Sequence, residues 1–269
     1  MTAAGTDQAA PRIVHVEHVM GTVFTIDIRD AGRWDDAIAE VVAWLHHVDA
    51  VFSTYKSDSD IERISRGELR VAQAHPDVAA VLELCAEVQS VTGGYFSALP
   101  GRRLDPTGLV KGWAIERASE LLRQRGSTNH AVNGGGDMQL AGQAHPGEPW
   151  RVGIADPADA ARVLAVVTAG DCAIATSGTS ERGAHITDPF TGRPATALAS
   201  ASVVGPSLTY ADAYATAAFV MGLDALAWIA GIDGYAALVV THGGDIRRSS
   251  AWPVPPAPAD VPVSTSARR

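Results

Sequence analysis

The chain predicts an α+β fold in which mainly antiparallel or mixed sheets are flanked by helices. Three observations carry this expectation. Residues 13–28 alternate apolar and polar side chains on either side of Gly21, as two strands joined by a tight turn would. Residues 34–52 and 78–91 repeat apolar residues at spacings of three and four, the signature of amphipathic helices. Between residues 150 and 176, three strand-like runs follow one another across short turns. Such turns favour antiparallel pairing, because a parallel crossover needs about a dozen residues or more.

The bulk properties narrow the function. Of the 269 residues 46% are hydrophobic and 19% charged, which sustains a packed core over most of the length. A formal net charge of −9 excludes a broad nucleic-acid surface, since phosphate backbones need clustered Lys and Arg. An anionic ligand must therefore be held by backbone amides, by one or two local cations or by a metal. Cys85 and Cys172 lie in apolar runs without C-x-x-C or metal-type spacing and are expected as buried thiols. No apolar run approaches the roughly 18 residues of a membrane span. Residues 1–11 lack the basic start and apolar core of a secretion signal, so a cytoplasmic location is expected. Residues 1–11 are expected as a flexible lead, 12–250 as a single domain, and the Pro-, Ala- and Ser-rich 251–269 as a disordered tail.

In chain order, the strands at 13–16 and 23–28 meet at Met20-Gly21-Thr22, and the helix from Trp34 to Phe52 leads into a polar loop, Ser53–Asp60, that contains Tyr55. A second helix, Val78–Val91, is stopped by Gly93-Gly94. Residues 104–114 are expected as a loop running into a helix that ends near Arg125. Here Gly108 and Gly112 permit close backbone approach to a ligand and Lys111 supplies a charge, or the stretch is simply a glycine-bearing turn with a surface lysine. After a short strand, Asn133-Gly134-Gly135-Gly136-Asp137 either presents several N–H groups to one anion or makes a flexible turn. It has neither Walker-loop nor G-x-G-x-x-G spacing. Strands follow at 150–157, 163–167 and 172–176, and Ser177-Gly178 opens a loop holding Arg182 and His185. Neither Ser177 nor His185 sits in a nucleophile-elbow or zinc motif. A strand at 201–204, a helix from about 209 to Gly222, a short helix at 225–232 and a buried strand at 236–241 complete the series, with no repeat at a fixed period.

The helix at 209–222 places Asp212 and Thr216 one turn apart on the same face amid small residues. A carboxylate and a hydroxyl so placed suit Mg²⁺, which takes one or two protein oxygens and fills its octahedron with water and substrate phosphate. The same residues also serve a plain helix, with Asp favoured by the dipole at the start and Thr bonding back to its own backbone.

In order, the blocks MGT (20–22), FSTY followed by SD.DI.RIS (52–65), GGYF (93–96), LDPTGLVKGWA (104–114), NGGGD (133–137), W.VGI.DP (150–157), ATSG (175–178), HITDP.TG (185–192) and ADAYATA (211–217) resemble the ApbE-like FAD:protein FMN transferase family over about residues 13 to 245. The resemblance implies a two-lobed domain with FAD in a cleft between the lobes, their boundary expected near residue 130. It implies a Mg²⁺-dependent enzyme that splits the FAD pyrophosphate and links FMN by a phosphoester to a Ser or Thr of an acceptor protein, releasing AMP. It leaves two alternatives: an FAD pyrophosphatase and a non-catalytic flavin-binding module. By resemblance, Asp212, Thr216 and the Val110 carbonyl ligate the metal, Lys111, Gly134, Gly135, Gly136, Ser177 and Gly178 line the FAD site, and Met20 and Tyr55 contact the flavin rings. His185 is expected as the base that takes the acceptor hydroxyl's proton, a task suited to an ordinary imidazole pKa near 6.5. Two positions depart from the family pattern: Ser97, where the family commonly has Asp, and Glu116, where Asp is frequent and a ribose or adenine contact is the corresponding expectation.

Overall fold

A computed structural model describes residues 12–100, 103–179 and 186–253. Eight strands form one antiparallel sheet in the order β1 (Ile13–Val19), β2 (Thr22–Ile28), β3 (His130–Gly134), β4 (Asp137–Ala141), β8 (Cys172–Gly178), β9 (Ser200–Gly205), β10 (Ala236–Val240) and β11 (Ile246–Arg248). A second sheet contains β5 (Gln143–His145), β6 (Glu148–Asp156) and β7 (Asp159–Ala169). The helices are α1 (Asp35–Phe52), α2 (Asp60–Ser65), α3 (Pro76–Val91), α4 (Thr107–Gln124), α5 (Leu208–Met221) and α6 (Ala225–Ile229). The α+β class expected from the sequence is the one observed.

The layering follows from the two-residue period of strands. Within β9, Val203 joins the core under α1, α3, α4 and α5, while its neighbour Val204 joins a second core with Trp150, Ile154 and Val167 of the smaller sheet. Both faces of the large sheet are thus covered, which is why β9 and β10 are buried at every position. Cys85 and Cys172 are buried as expected, and burial pushes their thiols up to about 12 and about 11. None of the described helices is long and apolar enough to cross a membrane.

Several expectations need correction. Residues 107–114 are helix, not loop. The Asp105 carboxylate accepts from the Thr107 amide (3.0 Å) and hydroxyl (2.5 Å) and starts α4, and the two glycines are tolerated because α5 crosses there. The loop from residue 53 gives way to α2, one and a half turns that are too short to show periodicity, started by Ser59 accepting from the Glu62 amide at 3.1 Å. No boundary falls at residue 130: β2 pairs with β3 across it, Ile28 opposite His130, so one sheet spans both halves. The domain also runs past residue 250, since Trp252 is only 5% exposed within the second core. The lead at 1–11 and the rest of the tail, from 254, lie outside the described residues.

Candidate active site at the α4 and α5 crossing

The site begins with a close helix crossing. Gly108 and Gly112 lie one turn apart on α4 and face the row Leu208, Asp212 and Thr216 on α5. A Cβ at Gly112 would overlap the Leu208 carbonyl oxygen, and one at Gly108 would lie 3.4 Å from Thr216 Oγ1. Only glycine lets the backbones come so near. The Gly112 amide then donates to Asp212 Oδ2 at 2.9 Å across a sequence separation of 100 residues.

The turn between β3 and β4 brings a second carboxylate. Gly135 (φ 58°) and Gly136 (φ 89°) occupy the two central positions, both left-handed, of a two-residue hairpin that sets Gly134 opposite Asp137. The Gly135 amide donates to the Val23 carbonyl (3.2 Å) and the Gly136 amide to Asn133 Oδ1 (3.1 Å). Both are therefore already engaged with protein acceptors, and the glycines serve here as turn residues. Asp137, absent from the sequence-derived set, is wholly buried; its Oδ1 accepts from the Thr176 amide at 2.9 Å and its Oδ2 pairs with Lys111 Nζ. The Lys111 ammonium is 3.5 Å from Asp212 Oδ1 as well.

Two carboxylates thus share one ammonium in a buried setting, leaving one negative charge in excess. Burial first, and then the Asp137 charge, raise the Asp212 carboxyl, while Lys111 and the Gly112 amide lower it; the balance is upward. Hydroxyl oxygens flank the pair, with Ser177 Oγ and Thr216 Oγ1 3.3 Å apart. Carboxylate and hydroxyl donors around surplus negative charge are the donor chemistry of a hard divalent cation. Val110, the preceding residue on α4, is buried, and its carbonyl keeps a second lone pair beyond the helical bond.

The other expected residues sit as follows. Met20 adopts φ 54° beside Gly21 (φ 68°), the described non-glycine residue with positive φ, in the β1–β2 turn. That turn abuts the glycine turn, since a Cβ at Gly135 would meet Thr22 Oγ1 at 2.9 Å. A methionine held there is backbone strain of the kind that collects at ligand sites. Tyr55 is 94% exposed in the α1–α2 loop. A Cβ added at Gly178 would lie 3.0 Å from the Ala199 carbonyl oxygen. His185 lies outside the described residues. A concavity of about 510 Å³ opens beside the C-terminal part of α5, lined by Asp188, Thr191, Arg193, Thr196 and Val220 among others.

Glu116 has structural partners of its own. Its Oε2 accepts from Ser207 Oγ (2.7 Å), the Thr209 amide (2.8 Å) and Thr209 Oγ1 (2.5 Å), so it caps the N-terminus of α5 from a neighbouring helix. The carboxylate sets the register of the helix that carries Asp212, and its other near surroundings are a cavity of about 190 Å³ shared with Trp113 and Tyr210. Ser97 makes a local turn, accepting from the Leu99 amide at 3.1 Å.

Comparison with known proteins bears on the fold and the family. The FAD:protein FMN transferase of Vibrio cholerae is 28% identical over 281 residues, covering 81% of this chain and 84% of that protein. The Escherichia coli K12 protein of the same name is 32% identical over 157 residues, or 55% of this chain and 45% of that protein. The solved flavin transferase ApbE of Vibrio cholerae superposes with a TM-score of 0.79 at 23% identity, over 90% of this chain and 98% of that one. The ApbE family profile matches residues 20–101 and 97–239, so the chain belongs to the ApbE family.

Proposed function

We propose that the protein is an FAD:protein FMN transferase, an enzyme that moves FMN from FAD onto a Ser or Thr hydroxyl of an acceptor protein. The observation that carries this reading is the buried Lys111, Asp137 and Asp212 group with the hydroxyls of Thr216 and Ser177 beside it. Its excess negative charge and oxygen donors fit Mg²⁺ held by Asp212, Thr216 and the Val110 carbonyl. Bound there, the ion supplies charge neutralisation to a pyrophosphate.

The chain's own residues carry the rest. Lys111 lies between Asp137 and Asp212 and is placed to answer negative charge developing on phosphate oxygens. Met20, in the turn beside the glycines, and the exposed Tyr55 offer polarizable and aromatic surface to a flavin ring system. Gly134, Gly135, Gly136, Ser177 and Gly178 complete the FAD-binding set in this reading. His185 takes the proton of the acceptor hydroxyl as its oxygen bonds to the FMN phosphorus and the bridging P–O bond breaks toward AMP.

The test is AMP release from FAD and Mg²⁺ with and without a peptide bearing an exposed Asp-x-x-Ser/Thr segment, alongside mass measurement of the peptide. Peptide gaining one FMN per AMP released supports the transferase. Equal FMN and AMP formation without peptide would make the protein a pyrophosphatase. Tight FAD binding without turnover, unaffected by Asp212→Ala, would make it a flavin-binding module.

A further inference from the structure

Away from the flavin site, three metal-ligating side chains converge on the outer surface of the helical layer. His47 on α1 places Nε2 3.0 Å from Asp77 Oδ2, and His75 places Nδ1 3.2 Å from the same oxygen. All three ligand atoms lie within 4.8 Å of one another. Bonds of about 2.0–2.2 Å to a tetrahedral ion imply donors roughly 3.3–3.6 Å apart, so the two measured separations need to open by only a few tenths of an ångström.

We propose that His47, His75 and Asp77 form a binding site for a divalent first-row transition ion, with Zn²⁺ the natural occupant and water completing the coordination. Two imidazoles and one carboxylate select such an ion over Mg²⁺, which prefers oxygen alone. The ligands are already held in place. His75 is the N-cap residue of α3, its amide donates to Asp60 Oδ2 at 2.7 Å, and Pro76 follows it at the first helical position. The His47 ring packs against His75 (centroids 4.4 Å apart) and Trp44 (5.7 Å). All three side chains are between 28% and 43% exposed, open to an ion from solvent. Two features oppose binding: the partial positive charge at the start of α3, worth roughly fivefold in affinity per unit charge at an exposed site, and the 3.3 Å bond that His75 Nδ1 accepts from the Asp77 amide. A full carboxylate charge and two imidazole lone pairs outweigh them. The ion would tie α1 to α3, next to Trp44, whose indole N–H donates to the Ala114 carbonyl of α4 at 3.0 Å.

The experiment is calorimetric titration of the full chain with Zn²⁺ in millimolar Mg²⁺, with Co²⁺ absorption as the spectroscopic readout. The expected result is one Zn²⁺ bound at micromolar Kd or tighter, a tetrahedral Co²⁺ band in the visible, and loss of both by at least about thirtyfold in affinity in His47→Ala and His75→Ala. Unchanged binding in both variants, or loss of that equivalent in Asp212→Ala instead, overturns the proposal. A measurement on the wild-type chain needs no variant to fold: Zn²⁺ should slow carbethoxylation of His75, located by peptide mapping, and an unaltered rate also overturns it.

Discussion

Gly112→Ala is the sharpest test of how the α4 and α5 crossing builds the site. A new Cβ would overlap the Leu208 carbonyl and lie 2.7 Å from Asp212 Cβ, about 0.8 Å short of an ordinary carbon–carbon separation. The obstacle is helical backbone, which cannot rotate away as a side-chain tip can. Overpacking of this kind costs up to about 3 kcal/mol, and alanine returns about 1 kcal/mol of helix propensity. The net loss is about 2 kcal/mol, which for a chain of this size lowers Tm by roughly 4–8 °C. Separating the helices also stretches the 2.9 Å bond from the Gly112 amide to Asp212, so AMP release from FAD should fall even where the protein remains folded. Gly108→Ala is the internal control. Its Cβ would meet side chains, Phe96 at 3.3 Å and Thr216 Oγ1 at 3.4 Å, so Tm should drop less. Thermal unfolding and an AMP assay on both variants check this. A Gly112→Ala protein with wild-type Tm and full turnover would refute the claim that the crossing positions Asp212.

Glu116→Ala removes the cap of α5 and should cost about 1–2 kcal/mol in urea unfolding, with a larger fractional loss of turnover than of FAD affinity; an unchanged unfolding midpoint would show the cap to be idle. Burial, reinforced by Arg123, holds the His130 imidazole down at about 4, between the Ser119 and Ser127 hydroxyls at 2.7 and 2.9 Å. Its folded pKa lies below the unfolded value near 6.5, so the unfolded chain binds the proton first. The stability it contributes is complete above pH 6.5 and drains away by about 3 kcal/mol as pH falls to 4. Unfolding at pH 7 and pH 5 in wild type and His130→Gln should differ in slope, and equal slopes would contradict the assignment. Truncation after Ser250 removes Trp252 from the second core and should cost about 3–5 kcal/mol relative to a chain ending at Pro253; equal Tm values for the two would contradict the assignment.

How much was legible in advance divides by range. The hairpin at residues 13–28, the helices ending at Phe52 and Val91 and the pairing of Asp212 with Thr216 on one helical face all rest on periodicities of two or 3.6 residues, which a strand or helix writes into its own residues. The start of α4 was hidden because Gly108 and Gly112 imitate a loop until α5 is seen against them. Asp137 stood in the sequence as one carboxylate after three glycines, and nothing near it in the chain names Lys111 as its partner.

The sequence by itself therefore determined the α+β class, most element positions, the family resemblance and the i, i+4 register of Asp212 and Thr216. The tertiary structure alone decided which carboxylates share Lys111, that Glu116 caps α5, that one sheet runs through residue 130, and that His47 meets His75 and Asp77. The physical reason is common to all four. Each is an encounter between residues 26 to 110 positions apart, set by how glycine contacts and two-sided strand burial let layers close, and no local period records it.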